Sequence, residues 1–149
     1  MTEEDRAAYG VEGEWPVLRR HRIRWAECDM YGHVNHAAYL TLCEDLRVAH
    51  WLSLGGGFAP DAPGPVVAQL EARYLRPLGF DDEVLLTLRP GSLRRTSFTH
   101  EYAVWKDGLV FSCKAVLVLV RGDTGERVPV PPEARRLMVA QGAREEGSG

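Results

Sequence analysis

Apolar residues recur along this chain at two different spacings, and the change comes near residue 55. From 37 to 54, Tyr39, Leu42, Cys43, Leu46 and Ala49 fall at helical spacing and share one face. Leu40, Val48, Trp51 and Leu52 widen that stripe, which predicts a long helix wrapped by other elements. Glu44 and Arg47 stand three apart and are placed to pair. Gly55-Gly56-Gly57 ends the pattern, since glycine meets the geometry of a helix C-terminus at little cost. Those glycines lack the spacing of a phosphate-binding loop.

Beyond the glycines the spacing is that of strands. Residues 66–76 read as extended, and Val84, Leu86 and Leu88 alternate with Leu85, Thr87 and Arg89. Phe98, His100, Tyr102 and Val104 form another face of period two. Asp107-Gly108 predicts a tight hairpin, after which Phe111, Cys113, Ala115, Leu117 and Leu119 alternate on the return strand. A turn between Gly122 and Gly125 leads to Pro129, Pro131 and Pro132, which end the sheet. A short helix over 133–140 follows, with proline near its start. One more strand, over 18–27, precedes the long helix. The order is strand, helix, then four strands joined largely by hairpins. That predicts an α+β fold in which one long helix is wrapped by a mainly antiparallel five-stranded sheet. Residues 1–15 are acidic without apolar periodicity and are expected to be a flexible tail, as are residues 142–149. Residues 16–141 are expected to form a single domain.

Composition narrows the choice of partner. The 149 residues are 45% hydrophobic and 26% charged, which suits a single core. With 18 basic against 21 acidic residues the net charge is -3, so no broad attraction to nucleic acid or anionic lipid is expected. No apolar run reaches the length of a membrane span, and the start of the chain does not resemble a signal peptide. Cys28, Cys43 and Cys113 are an odd set without metal-like Cys-x-x-Cys spacing, as expected of free thiols in a reducing cytoplasm.

Candidate chemistry is concentrated between the first strand and the helix, in Glu27-Cys28-Asp29-Met30-Tyr31-Gly32-His33-Val34-Asn35-His36. A carboxylate, a glycine turn, two histidines and an asparagine approach a helix N-terminus, where unpaired N–H groups favour negative charge. Such donors suit the oxyanion that develops on an attacked carbonyl. A nearby aspartate is placed to attack that carbonyl or to activate water. Each residue also has an ordinary use: Asp29 as a turn carboxylate, Asn35 as a helix cap, His33 and His36 as surface or packing side chains. Cys28, Asp29, His33 and His36 are possible metal ligands, but their spacing matches no familiar zinc pattern. A serine hydrolase is disfavoured by the lack of Gly-x-Ser-x-Gly.

The pattern Asp29-x-x-Gly32-His33-Val34-Asn35-x-x-x-Tyr39-Leu40, continuing to Glu44 and Arg47, resembles the signature of the 4-hydroxybenzoyl-CoA thioesterase family of hotdog proteins. Glu71-x-x-Tyr74-Leu75-x-Pro77, followed by Asp82-Glu83-Val84, resembles that family's next strand and the turn leaving it. The resemblance implies a hotdog fold and hydrolysis of an acyl-CoA, without metal or organic cofactor. It implies homodimers or homotetramers with active sites at the subunit junction. Asp29 matches the family's catalytic carboxylate, acting as nucleophile or general base. His36 matches the residue that opens the helix and offers its backbone N–H to the thioester carbonyl, its side chain assisting. Gly32, His33, Asn35 and Tyr39 match positions around the bound substrate, with Tyr39 and Glu44 inclined to packing or orientation. Many members carry Asn-Asn where this chain has Asn35-His36. Two other readings stand beside hydrolysis: a hydratase acting on enoyl or hydroxyacyl thioesters, and a non-catalytic acyl-CoA-binding module. Arg76, Arg94, Arg95 and Arg121 are candidates for the CoA phosphates, and Trp25, Tyr31, Trp51 and Phe58 for an acyl pocket.

Overall fold

The computed structural model describes residues 2–147. Along it run α1 (Glu3–Tyr9), β1 (Val17–Arg22), a 3₁₀ turn (Trp25–Glu27) and α2 (His36–Ser53). There follow β2 (Pro63–Tyr74), β3 (Glu83–Leu93), β4 (Ser97–Trp105), β5 (Leu109–Arg121), α3 (Pro132–Ala140) and β6 (Arg144–Glu145). The sheet has the order β1-β3-β4-β5-β2, with β6 paired to β3. β1 lies antiparallel to β3, with Val17 opposite Leu88 and Arg22 opposite Glu83. This is the expected α+β class, with a long helix and a mainly antiparallel sheet.

One detail of the sheet corrects the sequence expectation, and another is left open by it. The sheet has six strands, because the two-residue β6 runs parallel to β3 beyond the five expected. β2 is not joined to β3 as a hairpin but borders β5 at the far edge. The N–H groups of Leu75 and Arg76 both reach the carbonyl of Val110, at 2.9 and 3.2 Å, which keeps the end of β2 on β5. The link to β3 then bonds with Ile23, whose N–H donates to Asp82 and whose carbonyl accepts from Asp81. The first strand is also shorter than expected. β1 stops at Arg22, and a 3₁₀ turn replaces its last residues because the Glu27 carboxylate accepts the N–H of Arg24 at 2.7 Å.

Contacts divide the chain into two compact units. One comprises the chain up to Arg47 with Ala72–Leu88 and Tyr102–Cys113. In it Tyr39, Leu42, Cys43 and Leu46 of α2 are buried, as their spacing predicts. Tyr39 stacks on Phe111 with ring centroids 4.7 Å apart, and Tyr74 meets both rings edge-on. Cys43 and Cys113 are buried free thiols, and hydrogen bonding to Cys113 together with burial pushes the Cys43 thiol far up. A thiol held protonated in this way makes Cys43 an inert packing group.

The N-terminal segment of this unit is structured, contrary to the expected flexible tail. Thr2 and Asp5 exchange capping hydrogen bonds at the start of α1, and Gly10 ends it in the left-handed conformation at φ +68°. A side chain at Gly10 would collide with the backbone of Gly108, whose N–H donates to Tyr9 at 3.0 Å. Tyr9, Val11 and Trp15 then enter a core cluster with Leu85, Ala103 and Trp105, where Trp15 meets Trp105 edge-on at 6.0 Å. Three anchors at positions 9, 11 and 15 follow neither a helical nor a strand period, so no repeating signal marks them.

The second unit comprises Val48–Glu71, Arg89–Glu101 and the chain from Lys114 onward. Trp51 is buried and stacks on Phe98, whereas Val48 and Leu52 are 38% and 53% exposed, so α2 is not covered on every side. The expected C-terminal tail also contains structure: Glu146 donates its N–H to Leu93 at 2.8 Å beside β6, and Arg135 pairs with Glu145. Met1, Ser148 and Gly149, assigned to the two tails, lie outside the described residues.

A buried histidine pair sits in the same unit. His50 Nδ1 meets His100 Nε2 at 3.0 Å, and His50 Nε2 donates to Gln141 Oε1 at 2.8 Å. Burial holds His50 below its ordinary value of 6.5, against the opposing hydrogen bond to Gln141. The unfolded chain therefore takes up this proton more readily than the folded one. The stability His50 contributes is whole above about pH 6.5 and is lost as the pH falls toward the lowered folded value. Melting temperature is expected to decline from pH 6.5 to 5. His50→Gln should flatten that decline, and an equal decline in the variant would refute this origin.

Candidate active site

The candidate stretch is a small hairpin. The N–H of Asn35 donates to the carbonyl of Glu27 at 2.7 Å, Cys28 bridges Val34, and the N–H of Asp29 donates to His33 at 2.7 Å. The chain reverses at the tip, where Gly32 donates to the carbonyl of Asp29 at 3.0 Å. Gly32 has φ +78°, a conformation that penalises any other residue. Two bonds anchor the hairpin to the link after β2: the N–H of Val34 reaches Leu78 at 2.8 Å, and His33 bridges Gly79.

Asp29 acts as the turn carboxylate that the ordinary reading describes, and a second capacity remains. Its Oδ1 accepts the N–H groups of Tyr31 at 2.9 Å and His33 at 3.3 Å. Among the described residues Oδ2 has no donor, so one oxygen orients the group and the other is open. His33 contributes backbone to this turn while its side chain is exposed.

Asn35 caps α2, its Oδ1 accepting the N–H of Ala37 at 2.9 Å. The peptide between Asn35 and His36 is held through its carbonyl, which takes the N–H of Ala38 at 2.9 Å. The next peptide is held at both ends, because the carbonyl of His36 also accepts the Tyr74 phenol at 3.0 Å. What remains is the N–H of His36, which has no acceptor among the described residues. The first turn of α2 contains no acidic side chain to compete for it. A fixed, unpaired N–H at a helix start suits a carbonyl oxygen gaining negative charge.

Tyr39 is placed elsewhere. It is 3% exposed, and burial together with nearby Tyr74 pushes its phenol up to about 12. Its contacts are those of a packing residue beneath the start of α2. The candidate phosphate ligands are largely committed: Arg76 donates to carbonyls of the Lys106–Gly108 turn, Arg121 pairs with Asp123, and Arg94 lies 4.0 Å from Glu146. Of the four aromatic candidates, Trp51 is buried, while Trp25, Tyr31 and Phe58 are exposed. Trp25 packs edge-on against Phe80 at 5.7 Å. No group of three or more His, Cys, Asp or Glu among the described residues is placed to hold a metal.

Two residues at the base of the hairpin have no role in the sequence reading, His21 and Glu27, the latter only opening the candidate stretch. Glu27 is buried and its carboxylate meets Nε2 of His21 at 2.9 and 3.1 Å. Burial alone would raise its pKa, but the Arg24 N–H and His21 outweigh that and hold it below the usual carboxylate value. The available signal was a histidine on a strand six residues before a glutamate, a spacing that only the 3₁₀ turn makes meaningful.

Residues 23–138 match the family model described as the thioesterase-like superfamily. The structure also resembles a crystal structure of a thioesterase-superfamily protein from Jannaschia, at TM-score 0.86 and 30% identity, covering 98% of this chain and 96% of that one. A Thermus thermophilus thioesterase, solved in complex with coenzyme A and Zn, is similar at TM-score 0.71 and 31% identity, covering 84% of this chain and 98% of that one. A 1,4-dihydroxy-2-naphthoyl-CoA thioesterase of Synechocystis, at TM-score 0.73 and 13% identity over 82% of this chain and 94% of that one, shares the fold alone. No helix among the described residues is long and apolar enough to cross a membrane.

Proposed function

Because the chain belongs to the thioesterase-like superfamily, we propose that it hydrolyses the thioester of a small or medium acyl-CoA, aliphatic or aromatic, to free acid and CoA. The observation that carries this reading is the hairpin, which delivers the open oxygen of Asp29 on the segment leading into the unpaired N–H of His36. The thioester carbonyl is polarised by that N–H; either Asp29 attacks it, expelling the CoA thiolate and leaving an aspartyl anhydride that water hydrolyses to the free acid, or Asp29 deprotonates a water that attacks and the CoA thiolate leaves. A well-placed oxyanion donor contributes about 3 kcal/mol, so the helix start matters as much as the carboxylate. The CoA thiolate leaves readily, so strong acid catalysis on the leaving group is unnecessary. Gly32, His33 and Asn35 act by shaping the turn and the helix start, and Tyr39 by supporting them from the core. The Thermus relative solved with coenzyme A supports CoA as the carrier.

Residues 16–141 serve as one catalytic domain in this reading, assembled as a homodimer or homotetramer with sites at the subunit junction. The support for assembly is β2, a 12-residue edge strand on which Val66, Val67, Leu70 and Tyr74 are 47%, 43%, 36% and 47% exposed. A long apolar edge left open is a template for pairing with another chain. Sedimentation equilibrium tests it, and a monomer at micromolar concentration would count against the shared site.

Thiol release from a panel of short, medium, long and aromatic acyl-CoAs tests the activity. Release from at least one short, medium or aromatic member is expected. Release from none, with the ligands still binding, would point instead to a hydratase acting on enoyl or hydroxyacyl thioesters or to a non-catalytic acyl-CoA-binding module.

A further inference from the structure

We propose that Glu27, through its pair with His21, is a positioning residue that sets the Asp29 carboxylate relative to the N–H of His36; this rests on the hydrolytic reading of that site. Among the described residues Glu27 is the one acidic side chain in the buried set, at 8% exposure. A carboxylate is costly to bury unless donors surround it. Here they do: the N–H of Arg24 at 2.7 Å, Nε2 of His21 at 2.9 and 3.1 Å, and the Arg24 guanidinium at 3.5 Å. These donors come from β1 and the residue that opens the 3₁₀ turn, so the side chain ties the turn to a strand of the sheet.

The backbone of the same residue carries the other half of the link. The carbonyl of Glu27 accepts the N–H of Asn35 at 2.7 Å, which is the first rung of the hairpin. Asp29 and His33 form the third rung, and Asn35 directly precedes the residue with the unpaired N–H. Glu27 therefore stands where the arm carrying the carboxylate and the arm leading to the helix start are joined. Tilting this rung moves the carboxylate relative to the helix. Displacements of about 1 Å at a reacting centre cost on the order of 10²-fold in rate.

The residue touches no substrate in this account, so its loss should lower kcat and leave KM nearly unchanged. Glu27→Ala is expected to reduce kcat for acyl-CoA hydrolysis by about 10- to 10²-fold with KM within about twofold. Glu27→Gln keeps an acceptor for the Arg24 N–H and should recover most of the rate, whereas Glu27→Met, of similar volume without an acceptor, should not; full rate in Glu27→Met would assign the loss to packing and overturn the proposal. If Glu27→Ala fails to fold, His21→Ala is the second variant, with a smaller loss in kcat again without a change in KM. Unchanged kcat in folded Glu27→Ala, or in His21→Ala where the first variant does not fold, overturns the proposal. Amide hydrogen exchange reads the same claim without turnover. Protection of the N–H groups of Asp29, Gly32 and Asn35 should fall in the variant while that of β3 to β5 persists. Unaltered protection there overturns the proposal. Absence of thiol release from the parent protein, with the exchange result as expected, instead overturns the hydrolytic reading and leaves the tether in place.

Discussion

Asp29→Asn is expected to lower kcat for thiol release by about 10²- to 10⁴-fold, the range for removing a positioned base. The fold should persist, because asparagine keeps an oxygen for the two N–H groups that Oδ1 now accepts, from Tyr31 and His33. A melting temperature within about 2 °C of the parent is the matching expectation for a replacement that keeps its hydrogen bonds. Circular dichroism and a chromogenic thiol assay on the same preparation measure both. Full turnover in the variant would remove Asp29 from the chemistry and leave it as a turn carboxylate. The discriminating atom is Oδ2, since the turn uses only the other oxygen.

The second large effect is predicted at His36, where the side chain and the backbone N–H can be separated. His36→Pro removes the N–H at the first position of α2, where proline is well tolerated because that N–H has no partner within the helix. Loss of the donor should cost about 10²- to 10³-fold in kcat, as for an oxyanion-hole N–H elsewhere. His36→Ala deletes the imidazole and keeps the N–H, so its loss should be much smaller. Equal rates in the two variants would place the work of this residue in its side chain rather than its backbone. The Tyr74 phenol on the carbonyl of His36 adds a control, because that bond is available in either variant.

How much of this was legible in the sequence depended on the range of the interaction. Tyr39, Leu42, Cys43 and Leu46 marked the buried face of α2, and Phe111, Cys113, Ala115, Leu117 and Leu119 marked that of β5, because burial repeats with the period of the backbone. The Asp107-Gly108 hairpin was equally legible, since its positive φ values of 51° and 104° are a local demand on residue type. The segment from Asp29 to His36 stood out for the same reason: its turn, its cap and its unpaired N–H are made among neighbours in the chain. Trp15 against Trp105, β2 beside β5, β6 beside β3, and Tyr74 on His36 are contacts across dozens of residues. No repeating pattern encodes them, because each is chosen by which surfaces remain uncovered once the sheet has formed. The same holds for Glu27, which the sequence presents as a residue at the end of a strand. Only tertiary structure buried it, and only burial in a low-dielectric setting makes its hydrogen bonds to His21 and Arg24 obligatory. Sequence alone thus marked the long helix, the five main strands and the candidate segment through short-range periodicity and turn chemistry, but not α1, the 3₁₀ turn or β6. Tertiary structure decided the strand order, the covering of the core by the N-terminal segment and the burial of Glu27 against His21, because those depend on surfaces that exist only after the chain has collapsed.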